Sequence, residues 1–259
     1  MTPVERPIPR LPLIDTRAYR SVPIRMSPDD DSDPLQALAD VGIVSDAYYA
    51  RNDGTNAPYG RRLPGAELTV RARRGVVQRL LRVNRRLSRM GVEVVVLDGF
   101  RPIECQRALW RHFVRLLKHS SPGLSAAEAE QRVLKYVADP RRFSADDSRT
   151  WPSHITGGAV DLTLRRRSGT AEQLFMGGVF DDPSRVSHTA FFERPHIRMS
   201  VSDQEARKNR RLLYWTMRAE GFANLPTEWW HYDWGTQLWA FVRGQEQGRP
   251  VAAMYRPVV

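Results

Sequence analysis

At 259 residues and 41% hydrophobic content, the chain carries enough apolar side chain to fill one large core or two small ones, so it should fold. Its net charge of +11, from 40 Lys and Arg against 29 Asp and Glu, could serve nucleic acid, anionic lipid or an acidic substrate, but the eight arginines between Arg71 and Arg89 are dispersed as on a solvated helix face. A single cysteine, Cys105, excludes an internal disulfide framework and a cysteine-built structural zinc site.

Residues 1–40 are rich in proline and hold the acidic run Asp29, Asp30, Asp31 and Asp33, which predicts an extended arm ahead of one domain over 41–259. The first twenty residues lack the apolar core of a signal peptide, and no window approaches the ~20 apolar residues of a membrane span. A cytoplasmic address without membrane insertion is the expectation. From 68 to 90 the apolar positions Val76, Val77, Leu80, Leu81 and Leu87 follow helical spacing, interrupted by Asn84 and stopped by Gly91.

The β-branched run 92–97 reads as a buried strand ending at Asp98-Gly99, which leaves Arg101 just past a strand end. A helix is expected over 102–117. Ser125 and Glu128 form a capping-box signature for another to about Ala138, and Ser202 and Glu205 form a second for a helix ending at Gly221. Between them 159–164 alternates, with Val160, Leu162 and Leu164 on the core face and Asp161 on the other. The aromatic stretch 228–234, EWWHYDW, is strand-like. No fixed-period repeat is present, and the mixture predicts an α+β fold with a small, mainly antiparallel sheet and flanking helices.

With cysteine excluded, a zinc site has to be built from imidazoles and carboxylates, and there are six histidines. His112 and His119 fall on or after an arginine-rich helix and read as surface residues. His196, in ERPHIR, has only Glu193 near it at metal spacing. His154 and Asp161 differ, because Gly157 and Gly158 between them allow the chain to kink and bring both to one point. A hairpin carrying a surface histidine is the competing account of this segment.

In EWWHYDW, Glu228 and His231 are three apart and would face opposite ways on a regular strand, so a shared site requires a turn, bulge or strand edge there. The competing account is an aromatic core cluster with polar residues between. Taken together, His154, Asp161 and His231 supply three N/O ligands and leave a position for water, the composition of a catalytic zinc. Glu228 is then a spare carboxylate suited to general-base work, and Arg101 a positive charge for a developing oxyanion.

The motifs GFRP (99–102), SHITGGAVDLTL (153–164) and EWWHY (228–232), with FMGGVFDDPSRVSH (175–188) and NRRLLYWTMRAEGF (209–222), resemble the D-alanyl-D-alanine dipeptidases, zinc enzymes of the type made by vancomycin-resistant bacteria. The resemblance runs from about Tyr49 to Tyr232 and implies a hedgehog or D,D-peptidase-like fold with zinc at the sheet. It also implies one zinc ion on His154, Asp161 and His231, Glu228 as base, and Arg101 as transition-state stabiliser. Asp181 and Ser153 would hold the ammonium group of a small dipeptide substrate, and Tyr49 would line the pocket. The family follows its Tyr-Ala pair with Asn-Phe-Thr-Gly, whereas this chain reads RNDGTNAPYG over 51–60. Cell-wall turnover or glycopeptide resistance is the implied setting, with no nucleic-acid partner and no oligomeric state specified. A D,D-carboxypeptidase and an inactive, zinc-retaining binding protein are the alternatives.

Overall fold

A computed structural model describes residues 1–259 except 13, 15, 27–31, 171, 195–197 and 259, with the backbone alone for 16 and 17. His196 and the acidic residues Asp29, Asp30 and Asp31 therefore lie outside the described residues. In chain order the elements are α1 (Thr16–Arg20), β1 (Leu35–Ala37), β2 (Arg71–Arg73), α2 (Arg74–Ser88), β3 (Val92–Asp98), α3 (Ile103–Ser120), α4 (Ala126–Val133), β4 (Ala159–Arg166), α5 (Val201–Ala219), β5 (Ala223–Asn224), β6 (His231–Asp233) and α6 (Gln237–Gln247). The fold is α+β. Its central sheet is antiparallel in the order β3-β4-β6-β5, and β1 and β2 form a separate pair.

The core lies where α2 and α5 cover this sheet. Val94, Val96, Leu162 and Leu164 are fully enclosed, as are Val76, Leu80, Val83 and Leu87 on one face of α2. Asn84 interrupts that stripe for a reason: its side-chain oxygen accepts the Val94 N–H at 2.9 Å, a donor on the edge of β3 that faces away from β4. Most of the eight arginines face outward, and Arg82 and Arg86 both pair with Glu220, but Arg73 is buried on β2, where it donates to the Asp33, Thr156 and Arg256 carbonyls, and Arg79 lies half-buried 3.8 Å from the Trp234 ring centroid.

Three local expectations need correction. The helix predicted from 68 starts at Arg74, because 71–73 pair with β1 as strand β2. The second capping box is Ser200 with Asp203, two residues before the predicted pair; Ser200 already accepts the Asp203 N–H and Asp203 returns the bond. His112 is half-buried against Tyr59, with ring centroids 4.7 Å apart, instead of lying on the surface. The Ser125–Glu128 capping box forms as expected, although its helix ends at Val133.

The segment 1–40 packs closely against the rest. Ile8, Tyr19, Met26 and Leu38 are buried, and Arg6 lies 3.4 Å over the Trp215 ring. Residues 25 and 26 donate their N–H groups to the carbonyls of Ala253 and Met254. Tyr255 then donates its hydroxyl to Asp33 while its ring rests on Gly158 and Gly235. Among the described residues no helix is long and apolar enough to cross a membrane.

Candidate active site

The pleat of β4 sends Val160, Leu162 and Leu164 into the core and Asp161 to the opposite face. Antiparallel pairing sets Asp161 directly across from His231 on β6, and a register shift after Val96 sets Asp98 across from it on β3. One row of polar side chains therefore crosses three strands. Asp233, two residues beyond His231, falls on the same face of β6.

His154 reaches the row from a short 3-10 turn, Ser153–Thr156, which ends at Gly157 with φ +71°. A side chain at Gly157 would be strained by that angle and would strike Leu35 at 2.5 Å. At Gly158 it would strike the Trp234 carbonyl at 2.8 Å, because β4 enters the sheet flush against the β6 backbone. The two glycines thus bring the histidine and the aspartate together.

His154 Nε2 lies 3.1 Å from His231 Nδ1 and 3.3 Å from Asp161, and His231 Nδ1 lies 3.0 Å from Asp161. The outer nitrogens settle the tautomers. His154 Nδ1 is 2.8 Å from the Gly99 carbonyl, which only accepts, so that nitrogen carries the proton. His231 Nε2 is 2.7 Å from Asp233, whose other oxygen accepts the Thr236 hydroxyl at 2.7 Å. Two imidazole lone pairs and a carboxylate therefore face one another, an arrangement that asks for a cation; all three ligand atoms lie within 4.8 Å of one another. The donor set, two nitrogens and one oxygen with the outer N–H groups anchored, fits zinc. In the absence of a cation a proton answers the same demand: burial disfavours charge on His231, but the Asp233 and Asp161 carboxylates outweigh it and hold its pKa well above the usual value. Burial likewise opposes charge on Asp161, and both histidines override it to hold its pKa far below the carboxylate range.

Glu228 meets the geometric demand made from the sequence. The backbone at 228–231 is a turn, with the His231 N–H 3.4 Å from the Glu228 carbonyl, and a Glu228 carboxylate oxygen lies 3.9 Å from His231 Nδ1. Burial, reinforced by the charges of Asp161 and Asp181, pushes Glu228 up to about 8. Arg101 is buried beside it. Its guanidinium donates to Asp98 at 2.8 Å, Gln106 at 2.9 Å, Asp161 at 3.0 Å and the Tyr49 hydroxyl at 3.3 Å. It is braced on the same aspartate that faces the histidines.

Asp181 adopts φ +61°, the one non-glycine residue with positive φ among the described residues. Its carboxylate accepts hydroxyls from Tyr49 and Tyr59, each at 2.7 Å, and burial together with the Asp161 charge raises its pKa to about 6. Aspartate is among the few non-glycine residues that tolerate this left-handed backbone, and the two tyrosine hydroxyls fix its carboxylate there. All eight residues singled out from the sequence, Ser153 included, line one cavity of about 1210 Å3, to which segment 1–40 adds Ile14, Tyr19 and Arg20.

Four partners were not singled out in advance. Asp233 was legible in principle as the i+2 neighbour of His231 on one strand face. Asp98 stands in the sequence only as the end of the 92–97 strand, and Tyr59 sits in the stretch that departs from the family pattern. Gln106 looks like an ordinary helix residue until Arg101 is seen to donate to it.

The sequence matches the family model described as D-Ala-D-Ala dipeptidase, the M15 peptidases, over residues 36–247. It is 28% identical over 241 residues to a D-alanyl-D-alanine dipeptidase of Synechocystis sp., covering 88% of this chain and 91% of that one. With a D-alanyl-D-alanine dipeptidase of Streptomyces coelicolor it shares 32% identity over 192 residues, 74% of this chain and 85% of the relative. A crystal structure of the vancomycin-resistance D,D-pentapeptidase VanY in complex with Zn(II) aligns with a TM-score of 0.43 at 18% identity, over 75% of this chain and 89% of that one.

Proposed function

The chain belongs to the M15 peptidases, the D-Ala-D-Ala dipeptidase family, and from that premise we propose that it is a zinc-dependent dipeptidase that hydrolyses D-Ala-D-Ala in cell-wall precursor turnover or glycopeptide resistance. One observation carries the reading: two histidine lone pairs and a carboxylate face a common point, with a second buried carboxylate, Glu228, beside them and left over. His154, Asp161 and His231 would hold the ion. Zinc there supplies Lewis acidity, which makes water nucleophilic near neutral pH and polarises a peptide carbonyl.

The side chains do the rest. Glu228 takes the proton of the attacking water and returns it to the leaving amine; burial pushes its pKa up to about 8 in the metal-free site, and a cation on the neighbouring ligands would favour the ionised form that a base requires. Arg101 holds positive charge next to Asp161, where the carbonyl oxygen gains negative charge. Asp181, with Tyr49 and Tyr59 on its carboxylate and Ser153 lining the same cavity, receives the substrate's ammonium group. A buried carboxylate in that role selects a free amino terminus over the end of a longer chain.

The test is hydrolysis of D-Ala-D-Ala, L-Ala-L-Ala and N-acetyl-D-Ala-D-Ala by purified protein, with and without a chelator. The expected result is chelator-sensitive cleavage of the free D,D-dipeptide alone. Equal cleavage of the acetylated substrate would move the protein to the carboxypeptidase reading, and metal retention without turnover to that of a binding protein.

A further inference from the structure

Arg210 lies midway along α5 and is 2% exposed, among the largest enclosed side chains of the molecule. Among the described residues no carboxylate pairs with it. Nε donates to the Met176 carbonyl at 2.7 Å and Nη1 to the His188 carbonyl at 2.8 Å, while Nη2 is buried without a hydrogen-bond partner. The guanidinium sits 4.7 Å from the Phe192 ring centroid and 5.7 Å from that of Trp229. Burying a cation without an anion is costly, and an apolar side chain of similar volume would fill the space more cheaply. What an apolar side chain could not do is grip two backbone carbonyls with charge-assisted bonds.

Those carbonyls lie at the two ends of the loop that carries Asp181. Apart from a short 3-10 turn at Arg185–Ser187 the loop has no regular structure of its own among the described residues, yet it must keep Asp181 at φ +61° with its carboxylate between two tyrosine hydroxyls. Close packing assists the grip: a Cβ at Gly177 would meet the Phe192 ring at 2.4 Å and Ala206 of α5 at 2.8 Å. The Trp229 N–H donates to the Ser187 carbonyl at 2.9 Å, which joins the far end of the loop to the turn that carries Glu228.

We propose that Arg210 is a positioning residue that fixes the 176–188 loop and thereby sets the preference for a free amino group. The inference rests on Asp181 as the ammonium partner. It deepens that reading by assigning the selectivity to a side chain that never touches the substrate.

The test compares zinc-loaded wild type, Arg210→Met, Arg210→Lys, Asp181→Ala and the Arg210→Met/Asp181→Ala double variant. Arg210→Met should raise KM for D-Ala-D-Ala by about 10-fold or more, with kcat and metal content within about threefold of wild type. It should narrow the gap between free and N-acetylated substrate. On top of Asp181→Ala it should add less than about twofold, because both changes remove one function. Arg210→Lys, which keeps the charge but loses the two-pronged grip, should fall between. Amide hydrogen exchange should rise in 176–188 and stay unchanged in the central sheet for either Arg210 variant. Full multiplication of the two single effects, or wild-type exchange in the loop of Arg210→Lys, would overturn the proposal. A wild type indifferent to acetylation would sink the reading of Asp181 instead, and the exchange measurement would still decide whether Arg210 holds the loop.

Discussion

Asp233→Ala should weaken zinc binding by roughly 10- to 100-fold, about 1.4–2.7 kcal/mol, although Asp233 is not itself one of the proposed ligands. The magnitude follows from its surroundings. Asp233 is fully enclosed and accepts the His231 Nε2–H at 2.7 Å, so truncation leaves that donor in a space closed to solvent. A buried unpaired donor costs about 1–3 kcal/mol. Without zinc, His231 sheds that cost by giving up its Nε2 proton and keeping the one on Nδ1, which occupies the lone pair that faces Asp161 and His154; the zinc-bound state, which needs that lone pair, cannot, and the difference lowers affinity. Asp233→Asn is the control, because its amide oxygen can still take the His231 proton while its NH2 group meets the Thr236 hydroxyl. That variant keeps the tautomer, loses only the charge, and should lose less than about 10-fold. Competition against a chromogenic zinc chelator at fixed pH measures both, with melting of the metal-free proteins to separate lost fold from lost affinity. Equal zinc affinity in wild type and Asp233→Ala, or a weaker Asn than Ala variant, would refute the tautomer argument.

Glu228→Gln should retain one zinc per chain by metal analysis and lose at least roughly 100-fold in kcat, the scale of a missing general base; undiminished turnover would require a different base. Asp181, raised to about 6, loses its negative charge as pH falls through that value, so kcat/KM for the free dipeptide should show an acid limb at or below about 6, lower where a bound cation favours the carboxylate. Asp181→Asn, with nothing to titrate, should lack the limb, and a limb that persists unchanged in it belongs to another group. Cys105 is 1% exposed and burial pushes its thiol up to about 12. A thiol-reactive disulfide at pH 8 should therefore leave the native protein unmodified and label one thiol after unfolding.

The site was more legible than the elements around it, for a physical reason. His154, Asp161, Glu228 and His231 carry chemistry that few other residue types could supply, and the two glycines mark where the backbone must be special. Boundaries depend on partners instead. The helical spacing of 68–90 holds no sign that 71–73 would be claimed by residues 35–37, which lie far away in sequence and pair through the backbone. The same limit hid Asp98, whose position opposite Asp161 follows from a register shift between distant strands. Ser200 and Ser202 stand equally well as caps on paper, and only the actual start of α5 distinguishes them. Arg210 reads as one more basic residue in an arginine-rich helix. Its burial becomes visible only when the loop it grips is folded over it.

Tyr255, which closes over Gly158 and Gly235 and donates to Asp33, has a bearing on the order in which the molecule assembles. Its bond spans 222 residues of sequence, and the 25–26 pairing with 253–254 spans a similar distance. Contacts so remote close large loops and are disfavoured until nearer ones have shortened the path. The brace behind the glycine pair should therefore form after the folding barrier, when β3 and β4 are already joined. Tyr255→Phe, which keeps the ring and removes a bond worth roughly 1.5 kcal/mol, should then speed unfolding about 10-fold and leave the refolding rate unchanged in stopped-flow denaturant jumps. A slowed refolding arm would place the brace in the nucleus instead. On this order the protein gains its sheet first, and the back wall of its reactive pocket is latched afterwards by side chains that never enter it.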